Sequence, residues 1–379
     1  MQNPQGGFNM KQYSKQGTII VIVICLFFPW YNLFAGTDTP QEKYQFTEKF
    51  KVGVEEASET KDQPYQFSLI NSIECDKNGN FYVLDSKDKC VKKFAPNGTF
   101  MELLIQSGKG PKEASTPSNL SINQYTDHIF VLQDHGLTMK EFDMKGNGIK
   151  YFVLPKQFYG NFYFVNKDEF VYTNMTPYKD EFNNFIKLNV PQKKIVQEFA
   201  LIEMNSDLNY KQRFAISGNS TLWTSRGHEM KLLAFDLKSG KQIQEIPIPG
   251  TFKKNIVVES VTANGMQMIT PILYNLAQPF IINDQLFALV IIQEFQTKDG
   301  KIDSFPITFE RIIYQVNGSN FQKMGVLKDS ENIFLGTVHK NRLILFSNEP
   351  YGHFRVFEFN KIGSSHIKNI VTVQPIGNR

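Results

Sequence analysis

The sequence has few of the residues that indicate a disulfide scaffold or a helical protein. Its 379 residues include only 3 cysteines and 2 tryptophans. No long stretch has apolar residues at i, i+3, i+4 and i+7, which excludes a mainly helical fold. Positive residues form no stripe, and the formal net charge is only +4 with both signs interspersed. We therefore expect no nucleic-acid partner.

Short catalytic motifs are also missing. The chain has no H-x-E, H-E-x-x-H, C-x-x-C or G-x-S-x-G pattern. Gly108 and Gly110 precede a predicted strand rather than a helix, so they do not form a phosphate-binding loop. A metal site would have to be assembled from separate parts of the chain. No cofactor and no metal ligands are predicted, and calcium and zinc are the ions to test.

Aromatic residues are abundant, with 34 Phe and 15 Tyr in the chain. Sequences typical of tight turns are also frequent. This composition favours strands over helices. Residues 71–105 show the pattern most clearly, because turn residues such as Asn78-Gly79 and Asn97-Gly98 separate four short apolar segments. A meander of four strands is the unit of a propeller blade. The four segments are Ser72–Cys75, Phe81–Leu84, Val91–Phe94 and Phe100–Ile105.

The same stretch resembles an NHL-type repeat with the pattern I-x-x-D-x-x-G-x-x-Y-V-x-D-S-x-x-x-x-I-x-x-F. The segment Ser107–Glu113 resembles the G-x-G-P-G-E connection between blades of that family. The family contains bacterial extracytoplasmic six-bladed β-propellers, so the resemblance implies six blades of four antiparallel strands. The matching residues are Ile73, Asp76, Gly79, Tyr82, Val83, Asp85, Ser86, Val91 and Phe94.

A coarse repeat of apolar segments continues to the end of the chain and predicts an all-β, six-bladed propeller over residues 67–379. Two stretches interrupt it. Pro249–Pro279 is predicted to be a long connection between blades, either an ordered cap or a loop that covers a ligand or binds a partner. Gln296–Lys301 is predicted to be a polar insertion in blade five. The predicted blades span 71–105, 119–154, 160–201, 213–248, 280–327 and 332–373, and Ile367–Val373 is the fourth strand of the last.

Residues 1–36 have the pattern of a targeting segment. Lys11 and Lys15 precede the apolar run Thr18–Phe28, and Ala35 is a candidate cleavage position. The sequence therefore predicts an exported protein, periplasmic or secreted, with a cleaved signal peptide. The alternative is an uncleaved anchor, Thr18–Phe34, which would be the chain's one link to a membrane.

Residues 37–66 are predicted to be a linker with a strand that closes the ring, because Lys43–Val54 alternates in polarity and closure removes free sheet edges. Cys75 and Cys90 would lie on strands separated by a third, about 10 Å apart. That distance exceeds the reach of a disulfide. We predict two buried free thiols.

Polar residues follow the second strand of several predicted blades, where the connections share one face of a propeller. Such a set could bind an anionic or sugar-like ligand. For Asp85 and Asp134 the favoured alternative is structural, because carboxylates in turns accept backbone N–H groups. The candidate ligand-binding residues are Asp85, Lys87, Asp134, His135, Arg226, His228, Tyr351 and His353.

The fold alone does not choose a chemistry. We favour a binding module that uses this face for a small-molecule ligand or a protein partner. The alternative is an enzyme, a propeller lyase or hydrolase acting on a sugar, lactone or peptide-derived substrate with metal assistance. No catalytic residue is assigned.

Overall fold

The computed structural model describes residues 43–55, 63–157, 160–174, 183–202, 214–218, 220–226, 230–252, 256–261, 267–272, 275–298, 301–329 and 333–362. These residues form strands and turns and no α-helix; the helical elements are two 3-10 turns, Gln63–Tyr65 and Asp134–Gly136. Among them, no helical segment has the length and apolarity needed to cross a lipid bilayer.

The strands form six antiparallel sheets of four strands each in a ring, which confirms the predicted six-bladed propeller. The first strand in the chain is β1 (Lys43–Val52). Blade one contains β2 (Ile70–Cys75), β3 (Phe81–Asp85), β4 (Cys90–Phe94) and β5 (Phe100–Ser107), with β6 (Glu113–Ala114) parallel to β5. Blade two contains β7 (Asn119–Asn123), β8 (His128–Gln133), β9 (Thr138–Phe142) and β10 (Gly148–Val153).

The next two blades follow the same order. Blade three contains β11 (Phe162–Phe164), β12 (Glu169–Asn174), β13 (Asn183–Asn189) and β14 (Lys194–Ile202). Blade four contains β15 (Phe214–Ser217), β16 (Thr221–Arg226), β17 (Lys231–Asp236) and β18 (Gln242–Pro247). A separate two-stranded ribbon then follows, formed by β19 (Ile256–Val261) and β20 (Gln267–Ile272).

Blade five contains β21 (Asn275–Ile282), β22 (Gln285–Lys298), β23 (Lys301–Asn317) and β24 (Asn320–Asp329). Blade six contains β25 (Ile333–His339), β26 (Arg342–Ser347), β27 (His353–Ile362) and, as its outer strand, β1. The first and last described strands, β1 and β27, thus pair in one sheet, which closes the ring. The outer place expected for Ile367–Val373 is taken by β1, and that segment lies outside the described residues.

Ring closure is supported by packing between blades six and one. Val52 of β1 pairs with Phe354 and is buried in one cluster with Phe81 and Phe94 of blade one. The Phe81 and Phe354 rings are 5.4 Å apart, and those of Phe94 and Phe354 are 5.8 Å apart. Aromatic pairs at such distances add to the stability that burial provides. Phenylalanine side chains, which are abundant in the sequence, therefore fill the space between these two blades.

Each strand crosses its blade, so connections alternate between two faces of the ring. We call the face with the first-to-second and third-to-fourth connections the turn face, and the opposite one the loop face. On the turn face, no described connection exceeds five residues. Two of these turns, Asp76–Asn80 and Asp143–Asn147, share the pattern D-x-x-G-N. In both, the aspartate Oδ1 accepts backbone N–H bonds from the third and fifth residues at 2.8–2.9 Å.

Two glycines in third-to-fourth turns, Gly98 and Gly240, lie against the outer strand of the preceding blade. A Cβ on Gly98 would lie 2.8 Å from Val52 of β1, and one on Gly240 would lie 2.6 Å from Phe199 of β14. Both glycines have positive φ, +85° and +71°, which side chains disfavour. β1 therefore receives the same contact from its neighbour as an ordinary outer strand, although it comes from the other end of the chain.

The prediction that Cys75 and Cys90 are free and buried is confirmed. Cys75 pairs with Phe81 at one end of blade one, whereas Cys90 pairs with Asp85 at the other end. Burial raises the pKa of Cys75, and it raises that of Cys90 to about 11. Both thiols therefore stay protonated at neutral pH.

Candidate functional site

The loop face carries the long connections of the ring. They include 53–69 between β1 and β2, 108–118 between β5 and β7, and 248–274 between β18 and β21. The last stretch was predicted to be a connection between blades that extends to Pro279. Only the end of the predicted connection was wrong, because β21 already begins at Asn275. Within the connection, β19 and β20 pair as a ribbon.

Blade five extends the loop face further. Its polar stretch Gln296–Lys301 was predicted to be an insertion between strands, but β22 extends to Lys298 and β23 begins at Lys301. The pairs Thr297↔Ile302 and Lys298↔Lys301 form the last rungs of this hairpin. The innermost strand of the blade ends its pairing at Asn275↔Ile292, so the hairpin continues past the blade. We call residues 293–308 the blade-five arm.

Asp85 lies at the end of β3 on the loop face and is fully buried. Its Oδ2 accepts a bond from the Ser68 amide at 2.7 Å, and its Oδ1 accepts bonds from the Leu69 and Asp88 amides at 3.1 Å. Three backbone donors thus surround one carboxylate. In this position Asp85 fixes the connection from β1 to β2, and Lys87, two residues later, is exposed.

Asp134 has the same function one blade further on. Its carboxylate accepts hydroxyl bonds from Ser115, Thr116 and Thr138. Burial raises the pKa of Asp134, but these hydrogen bonds outweigh burial and hold the pKa below its ordinary value. The neighbouring His135 has a positive φ of 56° and an exposed side chain.

Tyr351 lies in the loop between β26 and β27, next to His353, the first residue of β27. Their rings are 5.3 Å apart, and Nδ1 of His353 is 2.9 Å from the Tyr351 carbonyl oxygen. The Lys51 ammonium lies 4.9 Å above the Tyr351 ring, a cation–π contact. His353 is fully buried, and Gly53 packs against it so closely that a Cβ there would lie 2.5 Å from the His353 Cβ. His353 is therefore packed into the fold, and Tyr351 is the half-buried member of the pair.

The remaining two candidates are less fully defined. Arg226 ends β16 on the loop face, and its side chain lies outside the described part of the chain. His228 also lies outside the described residues. The six described candidates come from three blades, and the structure brings only Tyr351 and His353 into direct contact.

A lysine that sequence reasoning missed holds the G-K-G-P-K-E connection. Glu113 Oε2 accepts the Gly110 amide at 2.7 Å, so the glutamate folds its own loop. Lys140 of β9 then donates to the carbonyls of Gly110 and Glu113 at 2.7 and 2.8 Å. Burial lowers the pKa of Lys140. The G-K-G-P-K-E motif marked this connection in the sequence, but it did not indicate Lys140. In the structure the motif joins blades one and two.

Metal-binding groups are not clustered in the described part of the chain. No three His, Cys, Asp or Glu side chains there lie close enough together to hold an ion. The described carboxylates of Asp85 and Asp134 are instead surrounded by N–H and O–H donors.

Comparisons with known proteins agree on the fold. No family model and no curated protein matches the sequence. A solved structure of a member of the DUF4221 family from Bacteroides vulgatus matches 85% of this chain and 100% of its own, with a TM-score of 0.57 and 11% identity. A candidate exported protein from Bacteroides fragilis matches 84% of this chain and 96% of its own, with a TM-score of 0.54 and 9% identity. At these identities the likeness shows the propeller fold.

Proposed function

We propose that the protein is an exported binding module that holds a ligand or a protein partner on its loop face. The observation that carries the proposal is the unequal distribution of chain between the two faces. The turn face has connections of five residues or fewer, whereas the loop face bears the ribbon β19–β20 and the blade-five arm. Propellers place variable connections where function lies and keep the remaining turns short.

Export is proposed from the targeting pattern of residues 1–36 and is supported by the candidate exported protein of similar fold. The resemblance of residues 72–94 to an NHL-type repeat supports the same class of protein. Within this proposal the loop-face residues Lys87, Tyr351 and Arg226 are the groups that would contact the ligand. Asp85, Asp134 and His353 would act through the loops that they hold.

Site-specific cross-linking in cells tests the proposal. A photoreactive benzophenone residue is placed at Lys87 or Leu137 on the loop face, or at Lys193 or Lys340 on the turn face, all of them exposed positions. We expect discrete adducts, identified by mass spectrometry, from the first pair and at most a tenth of that yield from the second. Equal yields from both faces would refute the assignment of function to the loop face.

The same experiment separates a binder from an enzyme. An adduct with a protein or with an unaltered small molecule supports the binding module. A small molecule that is chemically changed only when the protein is present would favour a lyase or hydrolase instead.

A further inference from the structure

The outer strand of blade two, β10, differs from the other outer strands in the side chains it exposes. Ile149, Tyr151 and Val153 are 51%, 52% and 61% exposed. Phe152 points the other way and is buried between blades two and three. Among the described strands β10 pairs only with β9. Beyond Gly148, which donates to the Pro111 carbonyl, its other edge has no backbone partner among the described residues.

Outer strands normally carry charges that prevent pairing with other chains. The described outer strands follow this rule: exposed charges occur at Lys49 in β1, Glu198 in β14, Glu245 in β18 and Lys323 in β24. β5 exposes Met101 and Leu103, but its end is paired with β6. β10 also exposes one charge, Lys150, but it is set apart by three large apolar side chains exposed along one strand.

Positive charge surrounds the beginning of this edge. Lys150 lies in β10 and Lys145 in the turn before it. The loop with Lys109 and Lys112 is joined to β10 by a bond from the Gly148 amide to the Pro111 carbonyl, 2.8 Å long. All four lysines are exposed, and none forms an ion pair with a described carboxylate. The nearby acids are engaged, since Glu113 binds the Gly110 amide and Asp143 caps its own turn.

We propose that the free edge of β10 is a docking site for an extended peptide segment of another protein. The segment would add a fifth strand to blade two, a recognised mode of peptide binding. Backbone hydrogen bonds would hold it, and alternate apolar side chains would cover Ile149, Tyr151 and Val153. Asp or Glu residues at the end beside Gly148 would meet the lysines.

A second copy of this chain fits the edge less well than a peptide. Antiparallel pairing of two β10 strands about Tyr151 would make the Lys150 residues of both copies diagonal neighbours, about 7–8 Å apart, where their like charges repel. The apolar surface of three side chains is also small beside the roughly 800 Å² per partner that a stable dimer buries. A single short peptide strand would cover only these three side chains.

Peptide selection tests the proposal. A random dodecapeptide library is selected on the full chain, with the double variant Ile149→Lys/Val153→Lys as the subtractive target. We expect enrichment of peptides with alternating apolar residues and an acidic end. A labelled synthetic peptide with the consensus sequence should bind at least tenfold more weakly to the double variant. Ile243→Lys on β18, where Ile243 is 58% exposed, is the matched control and should bind normally.

Hydrogen exchange completes the test. The bound consensus peptide should slow exchange of backbone amides within residues 148–153, and binding should weaken at high salt as the lysines are screened. Enrichment of unrelated peptides, equal binding by the double variant, or protection elsewhere would overturn the proposal. A concentration-dependent dimer that the double variant loses would assign the edge to a second copy instead.

Discussion

The two faces of the ring use the same side-chain chemistry for the fold but differ in how much chain they carry. Asp76 on the turn face and Asp85 on the loop face both accept backbone N–H bonds. The bonds of Asp76 are local, two and four residues away, whereas those of Asp85 reach 16 and 17 residues back. The turn face is therefore built from local turns, and the loop face is held by long-range contacts that leave room for longer connections.

The largest effect on stability should follow from removing the carboxylate of Asp85. Asp85→Ala leaves the amides of Ser68, Leu69 and Asp88 without their acceptor, so we expect a loss of about 3 kcal/mol in the free energy of unfolding. Urea unfolding measures it. Lys87→Ala is the control and should change stability by less than about 0.5 kcal/mol. An Asp85→Ala variant as stable as the control would show that this carboxylate does not hold the loop face.

A glycine comparison within the turn face should give the next largest effect. Gly98→Ala combines a positive φ with a clash against Val52, and should cost about 2–3 kcal/mol. Gly318→Ala also has a positive φ, +61°, but nothing lies within 4 Å of its Cβ, so only about 1 kcal/mol is expected. Chemical denaturation of both variants measures the difference. Equal losses would mean that β1 does not pack against this turn.

The smallest effect should be a shift in acid stability, and it should be similar on both faces. Hydrogen bonds hold the pKa of Asp134 on the loop face and of Asp143 on the turn face below their ordinary value of 3.8. A depressed pKa contributes stability above the unfolded value that is lost as the pH falls through the folded one. The difference in unfolding midpoint between wild type and Asp134→Asn should therefore be constant above about pH 5 and shrink below about pH 4.

Asp143→Asn should change the acid profile in the same direction. If wild type and both variants lose stability in parallel as the pH falls, these carboxylates do not contribute in the way that their hydrogen bonds indicate.

The number of blades could be predicted from the sequence because turns carry local signals. D-x-x-G-N in two turns and Asn97-Gly98 in a third locate the strand ends within a few residues, because these residues favour specific turn conformations. Blades one and two were therefore placed closely. In the blade-five arm a signal was present but misinterpreted: Asp299-Gly300 stands between Lys298 and Lys301, which pair as the last rung of a hairpin.

The candidate site was less predictable because its contacts are long-range. The sequence marks Asp85 as a turn residue, but not that its partners are Ser68 and Leu69. His353 is in close contact with Gly53, which is 300 positions earlier and lies beside it because β1 completes blade six. Local sequence patterns cannot predict contacts between residues so far apart in the chain. Ring closure brings these residues together.

The central claim, that the loop face binds and the turn face maintains the fold, is tested most directly by shortening the blade-five arm. Replacing residues 295–307 with Asn-Gly would close the hairpin at the Glu294↔Thr308 pair. Adding four Gly and Ser residues to the turn Gly318-Ser319 is the matched change on the turn face. The measurement is the yield of adducts from a benzophenone residue at Leu137, with the thermal unfolding midpoint recorded for each variant. We predict that the shortened arm loses the adduct at an unchanged midpoint, while the lengthened turn keeps it. Loss of the adduct only in the lengthened-turn variant, or an undiminished adduct with the shortened arm, would contradict the account.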